Sequence, residues 1–336
     1  MATDDSSEFA RIVERLDRIE ARLARIERTT NSAQQLIHAR LPRRSWRGKL
    51  QPRLWHYRQY EPQVLRVPIA DPPQAASENV PRIAVVTPSY NHARYLRTTI
   101  DSVLGQNYPN LAYVVEDGGS TDGTRELLES YGNKLVWRSE RDTGQASAVN
   151  RGLARIDGEI MAYLNSDDIL LPGALAYVAQ AFLAKPGVDV IYSHRILIDE
   201  DGLEIGRWVL PPHAKKTLKW VDYIPQETMF WRRRVWEKVG PFDESFHYAL
   251  DWDFVLRAQA AGFRFKRLPR FLACFRVHDE QKSTAMMKVG TDEQRQLRQV
   301  HLRYDPDGGE IDRAIRGYLR RHVLFHGLYR YGLIKY

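Results

Sequence analysis

Two adjacent carboxylates, Asp167 and Asp168, follow the apolar run EIMAYLNS in a chain of 336 residues. Neighbouring ionised acids repel, which costs stability unless a cation or a set of donors answers them. A hard divalent ion, Mn²⁺ or Mg²⁺, bridging the acids to a phosphate-bearing ligand is the economical explanation, and two solvated turn acids the plain one. Upstream, Thr87, Pro88, Ser89, Tyr90 and Asn91 end another apolar run. Their hydroxyls, ring and amide can hold a nucleobase by stacking and hydrogen bonding, although Asn91 equally suits a helix cap. The string from Glu116 to Thr124, EDGGSTDGT, has glycines that admit a ligand close to the backbone; Asp117 offers an acceptor to a base or ribose donor, and Asp122 can cap the next helix. Farther on, LDWDF supplies Asp251 and Asp253, whose i, i+2 spacing points them off different faces of a helix. Helix starts favour acids whatever their chemistry.

These groups need a frame. From Arg82 onward, apolar β-branched runs alternate with helical stretches of about ten residues: RIAVVTPSYN, RYLRTTIDSVLGQ, LAYVVEDGGSTDGT, TRELLESYG, KLVWRSE, ASAVNRGLARI, GEIMAYLNSDD. That alternation predicts an α/β fold, a doubly wound mixed or parallel sheet with helices on both faces. Ligands in such sheets bind beyond the carboxyl ends of the strands, where all the polar clusters fall. The single cysteine, Cys274, sits among Phe271, Leu272, Ala273 and Phe275 and reads as part of a buried strand.

Taken together and in order, the strings resemble the family 2 glycosyltransferases, nucleotide-diphospho-sugar transferases of the GT-A fold, over roughly residues 82–283. The resemblance implies an inverting, metal-dependent transfer of a sugar from a nucleotide sugar to a hydroxyl acceptor, a glycan or lipid-linked glycan, in polysaccharide or glycolipid synthesis. It implies Thr87 and Tyr90 against the nucleobase, Asp117 and Asp167 on the nucleotide sugar, and Asp168 on an Mn²⁺ or Mg²⁺ ion at the diphosphate. The string FRVH followed by QKS is similar to the family's closing loop, where His278 joins the metal and Arg276 and Lys282 meet the diphosphate. QETMFWR and GPFDESFHYALDWDF resemble the acceptor half, with Asp251 as general base and Asp253 in support. On this basis residues 82–285 form the catalytic domain, divided into a nucleotide-sugar half (82–195) and an acceptor half (196–285). Two departures stand out: Gly118 replaces a second Asp that faces the base in many relatives, and Asn165 replaces the first Asp of the longer acidic motif.

The flanks differ in character. Phe9, Ile12, Leu16, Ile19, Leu23 and Ile26 recur in alternating steps of three and four, a heptad seam that predicts a homo-oligomeric coiled coil within residues 1–41, or an amphipathic helix lying on its own domain. Residues 42–81, basic, aromatic and proline-rich without a period, read as a linker. Residues 286–336 read as a basic amphipathic helical tail, lying in a lipid interface or packed on the domain. The net charge is +8, yet residues 40–66 and 313–336 carry +7 and +6, so the body is slightly acidic. That distribution suits an anionic membrane surface at least as well as nucleic acid, and nucleic acid is not an expected partner. The acidic opening MATDDSSEFARIVERL lacks the features of a signal peptide, and no window offers 18 uninterrupted apolar residues, so a cytoplasmic protein at or near the inner face of the membrane is expected. The rival readings are a catalytically inactive scaffold on the same fold and a nucleotidyltransferase; the latter lacks its usual glycine-rich loop near the first strand.

Overall fold

The structure, a computed structural model, describes residues 54–67, 80–279, 281 and 287–336. The strands are β1 (Ile83–Ser89), β2 (Leu111–Asp117), β3 (Val136–Ser139), β4 (Ile160–Tyr163), β5 (Ile169–Leu170), β6 (Val190–Ile198), β7 (Glu204–Trp208), β8 (Phe230–Arg232) and β9 (Phe265–Arg276). The helices are α1 (Ala93–Leu104), α2 (Thr124–Glu129), α3 (Gln145–Arg155), α4 (Ala174–Leu183), α5 (Lys215–Leu218), α6 (Arg233–Val239), α7 (Leu250–Ala260), α8 (Met287–Leu302) and α9 (Gly308–Arg330).

Every residue of β1 is buried, as the apolar run IAVV requires of a strand covered on both faces. Alternate side chains divide the core. Val85, Val115, Ile160 and Ala162 meet Leu96, Ile100 and Val103 of α1 and Leu175 and Val178 of α4. Val86, Val114, Met161 and Tyr163 join Ala146, Val149 and Leu153 of α3 in the other layer. Gly152 is what lets α3 lie so near: a Cβ there would stand 2.5 Å from Val86 Cγ1.

The sheet has nine strands among the described residues, in the order β3-β2-β1-β4-β8-β6-β9-β5, with β7 paired to β6. β3, β2, β1 and β4 are parallel, as the strand–helix alternation predicts. β8 enters antiparallel between β4 and β6, so the sheet is mixed. β5 pairs with β9, Ile169 opposite Cys274, which draws the segment after β4 against the end of β9. Cys274 is buried, in a strand as expected.

The linker needs correction, and of the two readings of the tail the described residues show the one packed on the domain. Part of the stretch read as linker belongs to the body: Leu54 is buried in the core, and Gln63 and Glu204 exchange backbone hydrogen bonds of 3.0 and 2.7 Å. The reason is its aromatic content, since Tyr57 packs against Trp208 and Phe275 with ring centroids 5.5 and 5.8 Å away. In the tail, α9 begins with a capping box, Asp307 and Glu310 accepting from each other's backbone N–H. Its expected lipid face is turned inward: Ile315 and Tyr318 are buried, Tyr318 lies 4.4 Å from the Tyr223 ring, and Leu319 packs on the same core. Among the described residues no helix is long and apolar enough to cross a membrane. The heptad seam of residues 9–37 lies outside the described residues.

Candidate active site

Strand register fixes where the polar clusters meet. Ser89, Asp117 and Ser139 stand side by side at the carboxyl ends of β1, β2 and β3, and Leu164 N–H donates to Val86 O at 2.8 Å just past β4. The four following loops open into one cavity of about 710 Å³. Pro88, Ser89, Tyr90, Gly118, Arg141, Asp142, Asn165, Ser166 and Asp167 line one part of it; Asp222, Gln226, Glu227, Tyr248 and Asp251 line another, with Trp55 and Tyr57 from the N-terminal stretch.

Of the residues expected at the nucleotide, Tyr90 is on the cavity wall, 63% exposed. Thr87 and Asp117 lie behind it, fully buried. The Thr87 hydroxyl bonds to Tyr113 Oη at 3.0 Å. Asp117 Oδ2 accepts from Gly119 N, Ser120 N and Ser139 Oγ at 3.1, 3.0 and 2.6 Å, so its carboxylate is spent on the turn. Asn91 is no helix cap: at φ 51° its N–H reaches Ser120 Oγ at 2.7 Å and its Oδ1 accepts from Thr121 N at 2.9 Å. Asp122 bonds to Thr124 N ahead of α2 at 3.1 Å and to Ala93 N at the start of α1 at 2.8 Å. The EDGGSTDGT string thus braces the first two loops against each other.

The acid pair divides its labour. Asp167 lines the cavity, and its Oδ2 lies 2.9 Å from His278 Nε2. Asp168, 1% exposed, is not among the residues lining the cavity. Its Oδ1 accepts from Arg276 N at 3.1 Å, and its own carbonyl accepts from Thr99 Oγ1 at 2.8 Å. Burial, and then the charge of Asp167, push the Asp168 carboxyl well above the usual carboxylate range. Arg276 Nε donates to Asp167 O at 2.9 Å, closing the β4–β9 junction.

Asp251 stands in the first turn of α7 and faces the cavity, its Oδ1 accepting from Trp252 N at 2.9 Å. Burial raises its carboxyl to about 6, partly offset by backbone N–H bonds. Asp253 points elsewhere, as the i, i+2 spacing requires, and pairs with Arg257 at 2.7 Å. Asp222, half-buried on the cavity wall, is held well above its ordinary value by burial and by the neighbouring charge of Asp251. Beside them Arg195 donates Nε to Glu227 Oε1 at 2.7 Å and Nη2 to Glu227 Oε2, with its guanidinium between the rings of Trp208 and Phe275 at 4.6 and 4.5 Å. Such a forked, stacked pair fixes the cavity floor through geometry that lysine cannot reproduce.

The start of α7 is held by α8, which lies beyond the stretch expected to form the catalytic domain. Glu293 of α8 accepts from the backbone N–H groups of His247, Tyr248 and Ala249, each at 2.8 Å, answering donors that the helix itself cannot. Glu293→Ala leaves those groups unanswered and is expected to lower stability by roughly 3 kcal/mol, while Glu293→Gln, keeping one acceptor, loses less. Urea unfolding of the three proteins checks this; equal midpoints would remove the role. Glu293, Asp142, Asp222 and Arg195 were not marked by any motif, since their partners arrive from distant segments. Glu227 lies inside the QETMFWR string, but nothing in the string announces a partner 32 residues away.

The profile of glycosyl transferase family 2 matches residues 84–240. An uncharacterized glycosyltransferase of Mycobacterium tuberculosis is 30% identical over 185 residues, covering 54% of this chain and 70% of that one. The chain belongs to glycosyl transferase family 2. The matched stretches span 67%, 57% and 65% of three other bacterial relatives, all named as uncharacterized glycosyltransferases. Among solved structures, Staphylococcus aureus TarS 1–349 in complex with UDP-GlcNAc has a TM-score of 0.51 at 20% identity, over 73% of each chain. A mannosyltransferase of Pyrobaculum calidifontis in complex with GDP-Man and Mn²⁺ has a TM-score of 0.51 at 19% identity, over 84% of this chain and 76% of its own. Both likenesses are of fold alone; the family match makes the protein a glycosyltransferase.

Proposed function

We propose that the enzyme transfers a sugar from a nucleotide sugar to a hydroxyl of a saccharide acceptor, with inversion at the anomeric carbon. The observation that carries the reading is that Asp251 and Asp167 line one cavity. Asp251, with its carboxyl raised to about 6, has the character of a general base near neutrality. It takes the acceptor proton as the acceptor oxygen bonds to the anomeric carbon and the bond from that carbon to the diphosphate oxygen breaks. The nucleoside diphosphate leaves with the electron pair. A single displacement needs no nucleophile on the protein. Trp55, Tyr57 and Tyr248, all partly exposed on the wall shared with Asp251, offer apolar faces suited to the C–H face of a pyranose acceptor.

Asp167, on the cavity wall, and His278 behind it, whose side chain is 1% exposed and is not among the residues lining the cavity, would hold an ion that arrives with the donor. Among the described residues no group of three or more His, Cys, Asp or Glu could hold a metal alone. One carboxylate and one imidazole would supply only part of an ion's coordination, and such a mixed oxygen and nitrogen set would suit Mn²⁺ better than Mg²⁺. When bound, the ion supplies positive charge to the departing diphosphate. Asp168 supports the pair from below by fixing Arg276, a different role from the metal ligand that the resemblance implies for it. Thr87 and Asp117 act likewise, holding the loop that presents Tyr90.

The mannosyltransferase complex with GDP-Man and Mn²⁺ supports both donor class and ion. Screening nucleotide sugars for Mn²⁺-dependent transfer onto oligosaccharides, with the product anomer read by NMR, tests the reading; a product that keeps the donor's configuration would overturn it. Self-association through residues 9–37 remains part of the proposal. So does contact with an anionic surface through the exposed side of α9, where Arg320, Arg321 and Leu324 lie. Light scattering and salt-dependent sedimentation with anionic liposomes measure these two.

A further inference from the structure

We propose that Trp55 and Asp222 form a clamp for the sugar residue that accepts the transfer, and that this residue is uncharged, with no carboxylate or phosphate beside the reacting hydroxyl. The inference rests on the reading that the cavity carries out sugar transfer, and it starts from a backbone unusual for its residue. Trp55 has φ 64°, in the left-handed region, a conformation that costs energy in a bulky residue and persists only where the surroundings over-determine it. Here they do so on both sides. Leu54 is buried in the core, the Trp208 indole N–H donates to His56 O at 3.3 Å, and Gln59 N–H donates to Ile205 O at 2.8 Å. The Trp55 indole N–H donates in turn to Asp222 O at 3.3 Å, which sets the ring beside Asp222, and both residues line the cavity. Trp55 lies ahead of the residues that match the family, so the aromatic half of the clamp comes from outside them.

Such a pair has the chemistry of a sugar site. The indole offers a flat apolar face to the C–H face of a pyranose. Asp222 Oδ1 accepts from Ile224 N at 3.1 Å, while no donor among the described residues reaches Oδ2, which is left for a ligand hydroxyl. Charge then decides which sugar. The charged residues on this part of the wall are Asp222, Glu227, Asp251 and Arg195. Arg195 is matched by Glu227 through their forked pair. The other basic residues of the wall, Arg141 and His92, belong to the nucleotide part, His92 bonded to Ser166 Oγ at 2.7 Å. Asp222 and Asp251 are left without a cation. Burial and the neighbouring charge of Asp251 favour the protonated form of Asp222, whereas Asp251 ionises at about 6, so the pair is negative near neutrality. A carboxylate or phosphate on the accepting residue would be repelled there, all the more in a cavity partly shielded from water. Sugar hydroxyls, by contrast, can donate to either acid.

A glycan array probed with the full chain in Mn²⁺ and whichever of UDP, GDP, CDP and ADP binds it most tightly, followed by transfer kinetics on the glycans retained, tests this. Glycans ending in a neutral hexose or N-acetylhexosamine are expected to bind at least ~10-fold more tightly than those ending in a uronic acid or a sugar phosphate. Trp55→Ala and Asp222→Ala should each raise the acceptor KM at least ~10-fold and the donor KM less than about threefold, the loss of one stacked ring or one hydrogen bond to a carboxyl. Trp55→Phe, which keeps an aromatic face, should recover most of the first loss. A role in packing alone would move both KM values together. Preference for glycans ending in a uronic acid or phosphate, an acceptor KM unmoved in either alanine variant, or no glycan retained by a protein that still hydrolyses donor overturns the proposal while leaving the donor site standing. Failure of all four nucleotides to bind overturns the sugar-transfer reading itself, and this one with it.

Discussion

Asp251→Asn is expected to bind donor as tightly as the native enzyme and to transfer sugar at least ~10²-fold more slowly, the usual contribution of a general base. The amide keeps the size of the carboxyl and its bond from Trp252 N–H but takes no proton. Donor affinity by calorimetry and single-turnover transfer separate the two effects. A native transfer rate would put the base elsewhere, and Asp222, on the same wall, would be next in line. The raised carboxyl also sets a pH profile. With Asp251 near 6, kcat/KM for the native enzyme should climb tenfold per pH unit below about 6 and level off above it, a limb absent from Asp251→Asn.

The same residue should tax the fold. Its carboxyl ionises at about 6 in the folded chain against 3.8 for an unperturbed aspartate, so the folded state holds its proton more firmly than the unfolded state does. The stability this gives is fully present below about pH 4 and is lost as pH rises through about 6. At pH 7 the buried charge therefore costs up to ~3 kcal/mol, which Asp251→Asn should return. Thermal unfolding is expected to show the variant more stable than the native protein at about pH 7.5 and little different at about pH 4. A general base that destabilises its own fold would fit a site in which stability is traded for chemistry.

The sheet was legible because its strands are buried on both faces, which forces apolar runs, and because the helices between them keep a 3.6-residue face. Tyr95, Leu96, Thr99, Ile100 and Val103 of α1 are an example. The antiparallel insertion of β8 was not legible: three residues, FWR, carry too little pattern to register against β4 and β6. Ligand-facing and turn-bracing acids were also indistinguishable in sequence. Asp117 and Asp142 both follow strand residues, yet the first is consumed by Gly119, Ser120 and Ser139, while the second keeps an oxygen over the cavity. Which of them meets a ligand depends on how neighbouring strands register, and that is a property of the assembled sheet. The aromatic wall was hidden for another reason. Trp55 and Tyr57 lie among prolines and arginines with no period, and only the packing of Tyr57 on Trp208 and Phe275 and the bond from Trp55 Nε1 to Asp222 O reveal them as part of the site.

The adjacent acids Asp167 and Asp168 provide the sharpest test of that distinction, because they differ by one residue and should fail in opposite ways. Asp167→Ala removes the carboxylate that faces the cavity beside His278. It is expected to abolish the increase in donor affinity that Mn²⁺ gives and to cut turnover at least ~10²-fold, as loss of several kcal/mol of charge stabilisation implies. His278→Gln removes the other half of the pair and should show the same loss to a lesser degree. Asp168→Asn, by contrast, keeps an acceptor for Arg276 N–H in a buried position away from the cavity wall. Donor affinity in Mn²⁺ should then stay within about threefold of native, less than about 1 kcal/mol, and any damage should appear in thermal unfolding. Calorimetry of each variant with nucleoside diphosphate, with and without Mn²⁺, gives the order. If Asp168→Asn loses the Mn²⁺ increment while Asp167→Ala keeps it, the ion is held by the buried acid after all, and the loop carrying Asp167 must turn over when the donor binds.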